Sequence, residues 1–324
     1  MNADWLDNDG LLLSARCPLP LDAPFTLGMA ASSGVSRQQL RTMERAGLVR
    51  RVLQGVYVVT QAPDTMDVRA AALSLVIPET AVVCDRTAAW LHGVELLPRS
   101  ALVRVPPVQV VHVDDTRVRR IGTDGRRRGL CPSDITVVQG IQVTTALRTG
   151  LDLGRLLWRF DALGAIDGFL RLGVPHDLMA AEASRFRGFR GVVQLRALLP
   201  LGDGRAESMA ESALRLQWHD AGLPRPEVQW WVYVDGVPVY RIDLALPDLL
   251  YAGEYDGAEF HSSDEDKEAD AERRAWLEDE RGWSIDVFDK RHVYDREIDP
   301  MPILRGGFYS ARRRLNRWTG RRTA

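Results

Sequence analysis

Three short runs rich in β-branched and aromatic residues, Val228–Val234, Val239–Leu246 and Tyr251–Tyr255, are separated only by turns at Asp235-Gly236 and Pro247–Leu250. Strands this close in sequence form an antiparallel meander, and the turn lengths set its register. A four-residue loop over 247–250 pairs Leu246 with Tyr251 and puts Asp243 directly opposite Glu254. Asp256, two residues further on, returns to the same face through the pleat, whereas Ile242, Leu244 and Leu246 line the other. The result is a sheet with one apolar and one acidic side. Carboxylates opposed across a ladder repel each other, and burying them without a counter-ion costs several kcal/mol per ion. A hard divalent cation, Mg2+ or Mn2+, is the natural resolution, because it takes carboxylate oxygens and keeps open positions for water and phosphate. Asp243, Glu254 and Asp256 are the candidate ligands, with Glu211 or Glu207 from the preceding helix completing the set. His261 is a candidate general base or phosphate contact, and Arg273 and Arg274 are placed to meet a substrate phosphate.

The rest of the chain gives that acidic sheet a context. The formal charge of the 324 residues is −2, which argues against a wholly basic nucleic-acid coat, but the average hides a partition. Residues 1–200 carry 24 Arg against 19 acids, or +5, and residues 201–299 carry 11 basic groups against 25 acids, or −14. Residues 300–324 add seven Arg and no acid, a basic tail that serves either as a phosphate anchor or as a solvated end. Cys17, Cys84 and Cys131 are odd in number, widely spaced and in no ligand pattern, which fits a reducing cytoplasm. No run of 18 apolar residues and no basic-flanked leader is present, so neither a membrane partner nor secretion is expected.

Near the N-terminus, Thr26–Ser33 reads as a short helix and Gly34-Val35 as a turn. Ser36 and Gln39 have the spacing of a capping box that starts a second helix, stopped by Gly47. Leu40, Met43 and Leu48 face a core, while Arg37, Arg41 and Arg45 repeat every four residues on an outer face. Val49–Val59 then alternates around Gln54-Gly55 as a hairpin led in by Arg50 and Arg51. Helix, turn, basic-faced helix and hairpin make a winged helix-turn-helix, whose second helix enters a major groove while the wing touches phosphate. Double-stranded DNA is the expected partner. Further along, the six arginines of Arg117–Arg128 either line a nucleic-acid surface or sit on a solvated loop. Trp230-Trp231 reads as core, and Pro200–Arg205 reads as a linker.

Two family resemblances attach to these residues. Leu27 through Gly55-Val56-Tyr57, then Thr87-Ala88-Ala89-Trp90-Leu91-His92-Gly93 and Gly140–Thr145 with Arg148-Thr149, resemble the AbiEi family of antitoxin-type regulators over about residues 25–170. That resemblance implies a DNA-binding winged helix with a trailing α/β domain for autoregulation or contact with a partner toxin. A second set, Glu211–Arg215, Gln229, Tyr240–Leu244, Gly253–Gly257, His261, Arg273 and Gly282-Trp283, resembles the very-short-patch-repair-like branch of the PD-(D/E)XK nucleases over about residues 205–290. It implies a restriction-endonuclease-like core with Asp243 as the central ligand, Glu254 as the second, Glu211 as the helix glutamate, and Asp256 with His261 closing the motif. The superfamily's last lysine is replaced here by Asp256.

The reading is therefore an α/β (α+β) chain in four parts. Residues 1–62 are a winged helix-turn-helix, 63–200 a middle α/β domain, 201–299 a nuclease-like domain with a mixed central sheet flanked by helices, and 300–324 a basic tail. The expected activity is a cytoplasmic, divalent-metal-dependent DNA endonuclease acting in phage defence or a toxin–antitoxin-like system, with a homodimer compatible. The alternative is an antitoxin-like transcriptional regulator whose nuclease-like domain does not cut.

Overall fold

A computed structural model describes residues 3–7, 11–96, 106–112, 123–126, 128–257, 264–295 and 297–320. The chain is mixed α/β and divides into two compact units, Met1–Leu153 and Gly154–Ala324.

The first unit opens with β1 (Phe25–Thr26), α1 (Leu27–Ser32), α2 (Arg37–Arg45), β2 (Val49–Leu53) and β3 (Val56–Val59). Thr26, expected as the first helical residue, is instead the N-cap of α1, its hydroxyl accepting from the Met29 amide. Gly34 turns the chain at φ +84°. The Ser36–Gln39 capping box then forms in both directions, with distances of 3.2 and 2.9 Å. The three strands lie in the order β1-β3-β2 and close over Phe25, Val35, Leu40, Met43 and Val58.

Next come α3 (Met66–Ser74), β4 (Ala81–Val83), α4 (Asp85–Leu91), β5 (Val108–His112), β6 (Thr123–Arg126), β7 (Ile135–Val138) and β8 (Ile141–Thr144). Their five strands are ordered β6-β5-β4-β8-β7, with β4–β8 and β5–β6 parallel and the rest antiparallel. The residues that carry the antitoxin-like pattern hold this unit together. His92 ends α4 with its Nε2 2.8 Å from the Thr144 carbonyl, and burial lowers its proton affinity. Arg148 bridges Asp134 at 2.6 Å and Asp152 at 2.8 Å, and Arg128 reaches Asp85 and Asp152 at 2.7 and 2.8 Å. All five side chains are buried, an arrangement that is stable only while each charge keeps its partners. Of the six-arginine loop, residues 117–122 and 127 lie outside the described residues.

Then α5 (Ala146–Leu156) leads into the second unit, with α6 (Arg159–Arg171), α7 (His176–Glu182), α8 (Val192–Leu198) and α9 (Met209–Asp220). The sheet that follows is β9 (Glu227–Val234), β10 (Val237–Leu246), β11 (Tyr251–Tyr255) and, after α10 (Asp264–Arg281), β12 (Ser284–Phe288). Its order is β12-β11-β10-β9, with β11–β12 parallel and the others antiparallel. The unit closes with α11 (Lys290–Val293) and α12 (Pro300–Gly320).

Two expectations change here, and the turn at 200–205 gains a structural role. That turn lies inside the second unit, where Asp167 on α6 pairs with Arg215 on α9, both buried, and also accepts the Asp203 amide at 2.8 Å. A Cβ on Gly204 would come within 2.9 Å of the Arg171 amide, so this turn is clamped onto α6. The basic tail is largely helical, because α12 buries Leu304 and Ala311. Trp230 and Trp231 are not core: they are 37% and 42% exposed on edge strand β9, next to an irregularity at Gln229, whose φ is +55°. The Arg241 guanidinium covers Trp231 at 5.4 Å from the ring centroid.

Candidate functional site

On the first unit, α2 presents Arg37, Arg41 and Arg45 as an exposed stripe, and none of the three pairs with a carboxylate among the described residues. Burial of Leu40 and Met43 on the opposite side fixes that orientation. In the wing, Arg51 lies over the Tyr57 ring at 5.3 Å and stands 3.5 Å from Glu44. Arg50 is half-buried and donates to the Ala62 carbonyl at 3.4 Å, so it braces the hairpin and is less available to a ligand than Arg51.

On the second unit, the acidic hairpin has the expected register: Leu246 pairs with Tyr251, and Leu244 with Gly253. Continuing that ladder sets Asp243 against Glu254. Asp243 accepts the Tyr255 amide on Oδ2 at 2.9 Å and the Gln229 side-chain amide on Oδ1 at 3.3 Å. The same Gln229 amide donates to Glu211 Oε2 at 2.8 Å, and the Glu207 backbone amide donates to that oxygen at 2.8 Å. The irregular backbone at Gln229 thus serves to place its amide between two carboxylates. Glu254 is 8% exposed and accepts the Tyr240 hydroxyl on Oε2 at 2.9 Å.

Burial and the neighbouring Glu211 and Glu254 charges push the Asp243 carboxyl up to about 7, against the opposing hydrogen bonds from Tyr255 and Gln229. The Tyr240 phenol is raised by burial and by Glu254. The carboxylates that act on Asp243 are therefore Glu211 and Glu254. Asp256 has a different neighbour: its amide donates to the Phe288 carbonyl at 2.7 Å, and its carboxylate is 3.9 Å from Arg274. Arg273 is exposed on α10 and Arg274 half-buried. His261 lies outside the described residues.

Among the described residues no group of three His, Cys, Asp or Glu side chains is arranged to hold a metal ion. With the Gln229 amide between Glu211 and Asp243, the side chains as placed do not fit a three-carboxylate cage for Mg2+ or Mn2+. Gln229 and Tyr240 belonged to the sequence pattern without a stated role. The sequence carried no signal for either: alternation puts Tyr240 on the face of Ile242, and the irregular backbone at Gln229 is seen only in the structure.

Comparison with known proteins bears on the first unit most directly. Residues 24–60 match the family described as a transcriptional regulator, AbiEi antitoxin, and residues 81–201 match the AbiEi antitoxin C-terminal domain. An uncharacterized protein of Mycobacterium tuberculosis, found in two strains, is 36% identical over 256 residues, covering 78% of this chain and 89% of its own length. No helix among the described residues is long and apolar enough to cross a membrane.

Proposed function

The chain belongs to the family of that mycobacterial protein and carries two AbiEi-antitoxin-type domains, and from that premise we propose that it is a DNA-binding regulator of the antitoxin type. The observation that carries this reading is the exposed Arg37, Arg41 and Arg45 stripe, which meets no carboxylate among the described residues, on the second helix of a helix-turn-helix, with the Arg51–Tyr57 wing beside it. Guanidinium forks on such a helix read guanine edges or hold phosphates, and the wing holds the adjacent backbone. Double-stranded DNA is the ligand and a cognate toxin the protein partner; the trailing α/β domain makes the protein contact.

The reading is tested by gel shift and footprinting on the duplex upstream of the chain's own coding sequence. Wild type gives a discrete protected site. Combined Arg37→Ala, Arg41→Ala and Arg45→Ala abolishes it while leaving the melting temperature unchanged. Protection that survives in the triple variant overturns the reading.

A second reading, a metal-dependent DNA endonuclease in the acidic unit, is favoured by one observation: Gln229 ties Asp243 and Glu211 together through one side-chain amide, and the ladder sets Glu254 opposite Asp243. The residues for it would be Asp243 and Glu254, with Arg274 beside Asp256. Its signature is a Mg2+-induced rise in melting temperature that Asp243→Ala removes, together with plasmid cutting lost in the same variant. Failure of Mg2+ to stabilise the wild type sinks it.

A further inference from the structure

The acid-free C-terminal segment has no part in the reading so far. Its helix α12 is held rigidly against the sheet. The single Tyr251 hydroxyl proton is shared between Asp286 Oδ2 at 2.8 Å and the Leu304 carbonyl at 3.0 Å. A Cβ on Gly307 would lie 2.5 Å from the Tyr251 ring and clash with the Asp286 carboxylate, so the helix backbone sits directly on β11 and β12. With Leu304 and Ala311 buried on that side, the outward side is fixed.

That outward side is not random. Arg305, Tyr309, Arg312, Arg313 and Asn316 are spaced by four, three, one and three residues, which gathers them into one stripe about 100° wide on a helix of 100° per residue. All five are exposed, Tyr309 to 53%. The chain between 201 and 299 carries 25 acids, yet Arg305, Arg312 and Arg313 pair with no carboxylate among the described residues. Arg305 donates through Nε to the Ala221 carbonyl at 2.9 Å, and Arg313 donates to the Ser310 hydroxyl at 3.0 Å, which orients both side chains and leaves their charge unneutralised. In a unit this acidic, guanidiniums on a fixed, exposed face that meet no carboxylate among the described residues are free to take an anionic ligand from outside.

We propose that this face of α12 is a second, sequence-independent DNA contact, in which Arg305, Arg312 and Arg313 hold phosphates of duplex DNA with Tyr309 between them. The rise of about 1.5 Å per residue separates Arg305 from Arg312 by about 11 Å. Measured along the duplex axis, at about 3.4 Å of rise per step on one strand, this separation spans roughly three steps. The proposal rests on the DNA-binding reading of α2 and adds a division of work: α2 chooses the site, and α12 adds salt-dependent affinity on any sequence.

The test uses the full chain and fluorescence anisotropy between 50 and 200 mM salt, on the footprinted duplex and on a scrambled one. Arg312→Gln with Arg313→Gln removes two phosphate contacts, so the log–log salt slope falls by about 1.8 on both duplexes. Over that fourfold salt range, the gap between wild type and variant narrows about tenfold. The footprint keeps its position, and an unchanged melting temperature shows that the fold is intact. Tyr309→Ala lowers affinity on both duplexes without changing the slope. An unchanged slope in the double variant overturns the α12 contact while leaving the α2 reading standing. Loss of the footprint alone, with the scrambled duplex unaffected, also overturns it. No binding to either duplex by wild type overturns both. A wild type that binds phosphatidylserine vesicles through Arg312 and Arg313, with DNA binding unaffected by the substitutions, assigns the face to a lipid surface and overturns the proposal.

Discussion

Asp243→Asn is expected to stabilise the protein at pH 8, although it removes a hydrogen-bonded residue from a folded sheet. Burial, with Glu211 and Glu254 beside it, raises this carboxyl from an ordinary 3.8 to about 7. A group whose folded value lies above its unfolded value holds its proton more tightly in the folded state. The stability that this one carboxyl contributes is therefore greatest below about pH 4, falls as pH rises toward 7, and is flat above. At about 1.4 kcal/mol per tenfold change in proton affinity, the span from 3.8 to about 7 amounts to about 4 kcal/mol as an upper bound. Asn keeps a carbonyl oxygen for the Tyr255 amide and carries no charge to bury. For a unit of this size, 1 kcal/mol moves the melting temperature by about 2–4 °C, so the variant should melt on the order of 10 °C higher at pH 8. It should be nearly unchanged at pH 4. Melting curves followed by tryptophan fluorescence every half pH unit measure this directly, since Trp218 packs on Tyr251 inside the same unit. A variant that melts lower than wild type at pH 8, or that keeps the wild-type slope between pH 4 and 7, refutes the electrostatic account of the site.

Four further variants test the packing. Gly191→Ala at φ +80° would put a Cβ 1.8 Å from the Arg155 carbonyl oxygen, and thermal melting should show a loss of several kcal/mol. Gly307→Ala should loosen α12 from β11 and β12, visible as faster amide exchange from Leu304 to Ala311 and a lower melting temperature. Asp167→Asn leaves the buried Arg215 charge without its carboxylate and should cost about 3–5 kcal/mol in denaturant unfolding, whereas Asp167→Leu with Arg215→Met should recover much of that loss.

The parts legible in the sequence were those with short-range rules. The capping box, the hairpin at Gln54-Gly55 and the four-residue loop before Tyr251 each follow from residues within a few positions of one another. The Leu246–Tyr251 register, and with it the opposition of Asp243 and Glu254, came from loop length alone. What escaped depends on packing between distant residues. The Asp167–Arg215 pair spans 48 positions and joins α6 to α9, so a turn rich in Gly and Asp resembled a linker although it is clamped. Trp230-Trp231 looked like core because two adjacent tryptophans are costly to expose, but the positive φ at Gln229 and the edge position of β9 turn both rings outward. Alternation alone also placed Asp256 with Asp243. The pleat argument assumes that the strand continues, and β11 ends at Tyr255, after which Asp256 meets Arg274.

The central claim, that this chain recognises a DNA sequence through α2, is tested most directly by selection from a random duplex pool. Full-length wild type and the Arg37→Ala, Arg41→Ala, Arg45→Ala variant are each taken through several rounds of binding and sequencing. Wild type should enrich one motif, and the variant should enrich none while still retaining DNA at low salt. Enrichment of the same motif by both proteins, or of no motif by wild type, would contradict the account.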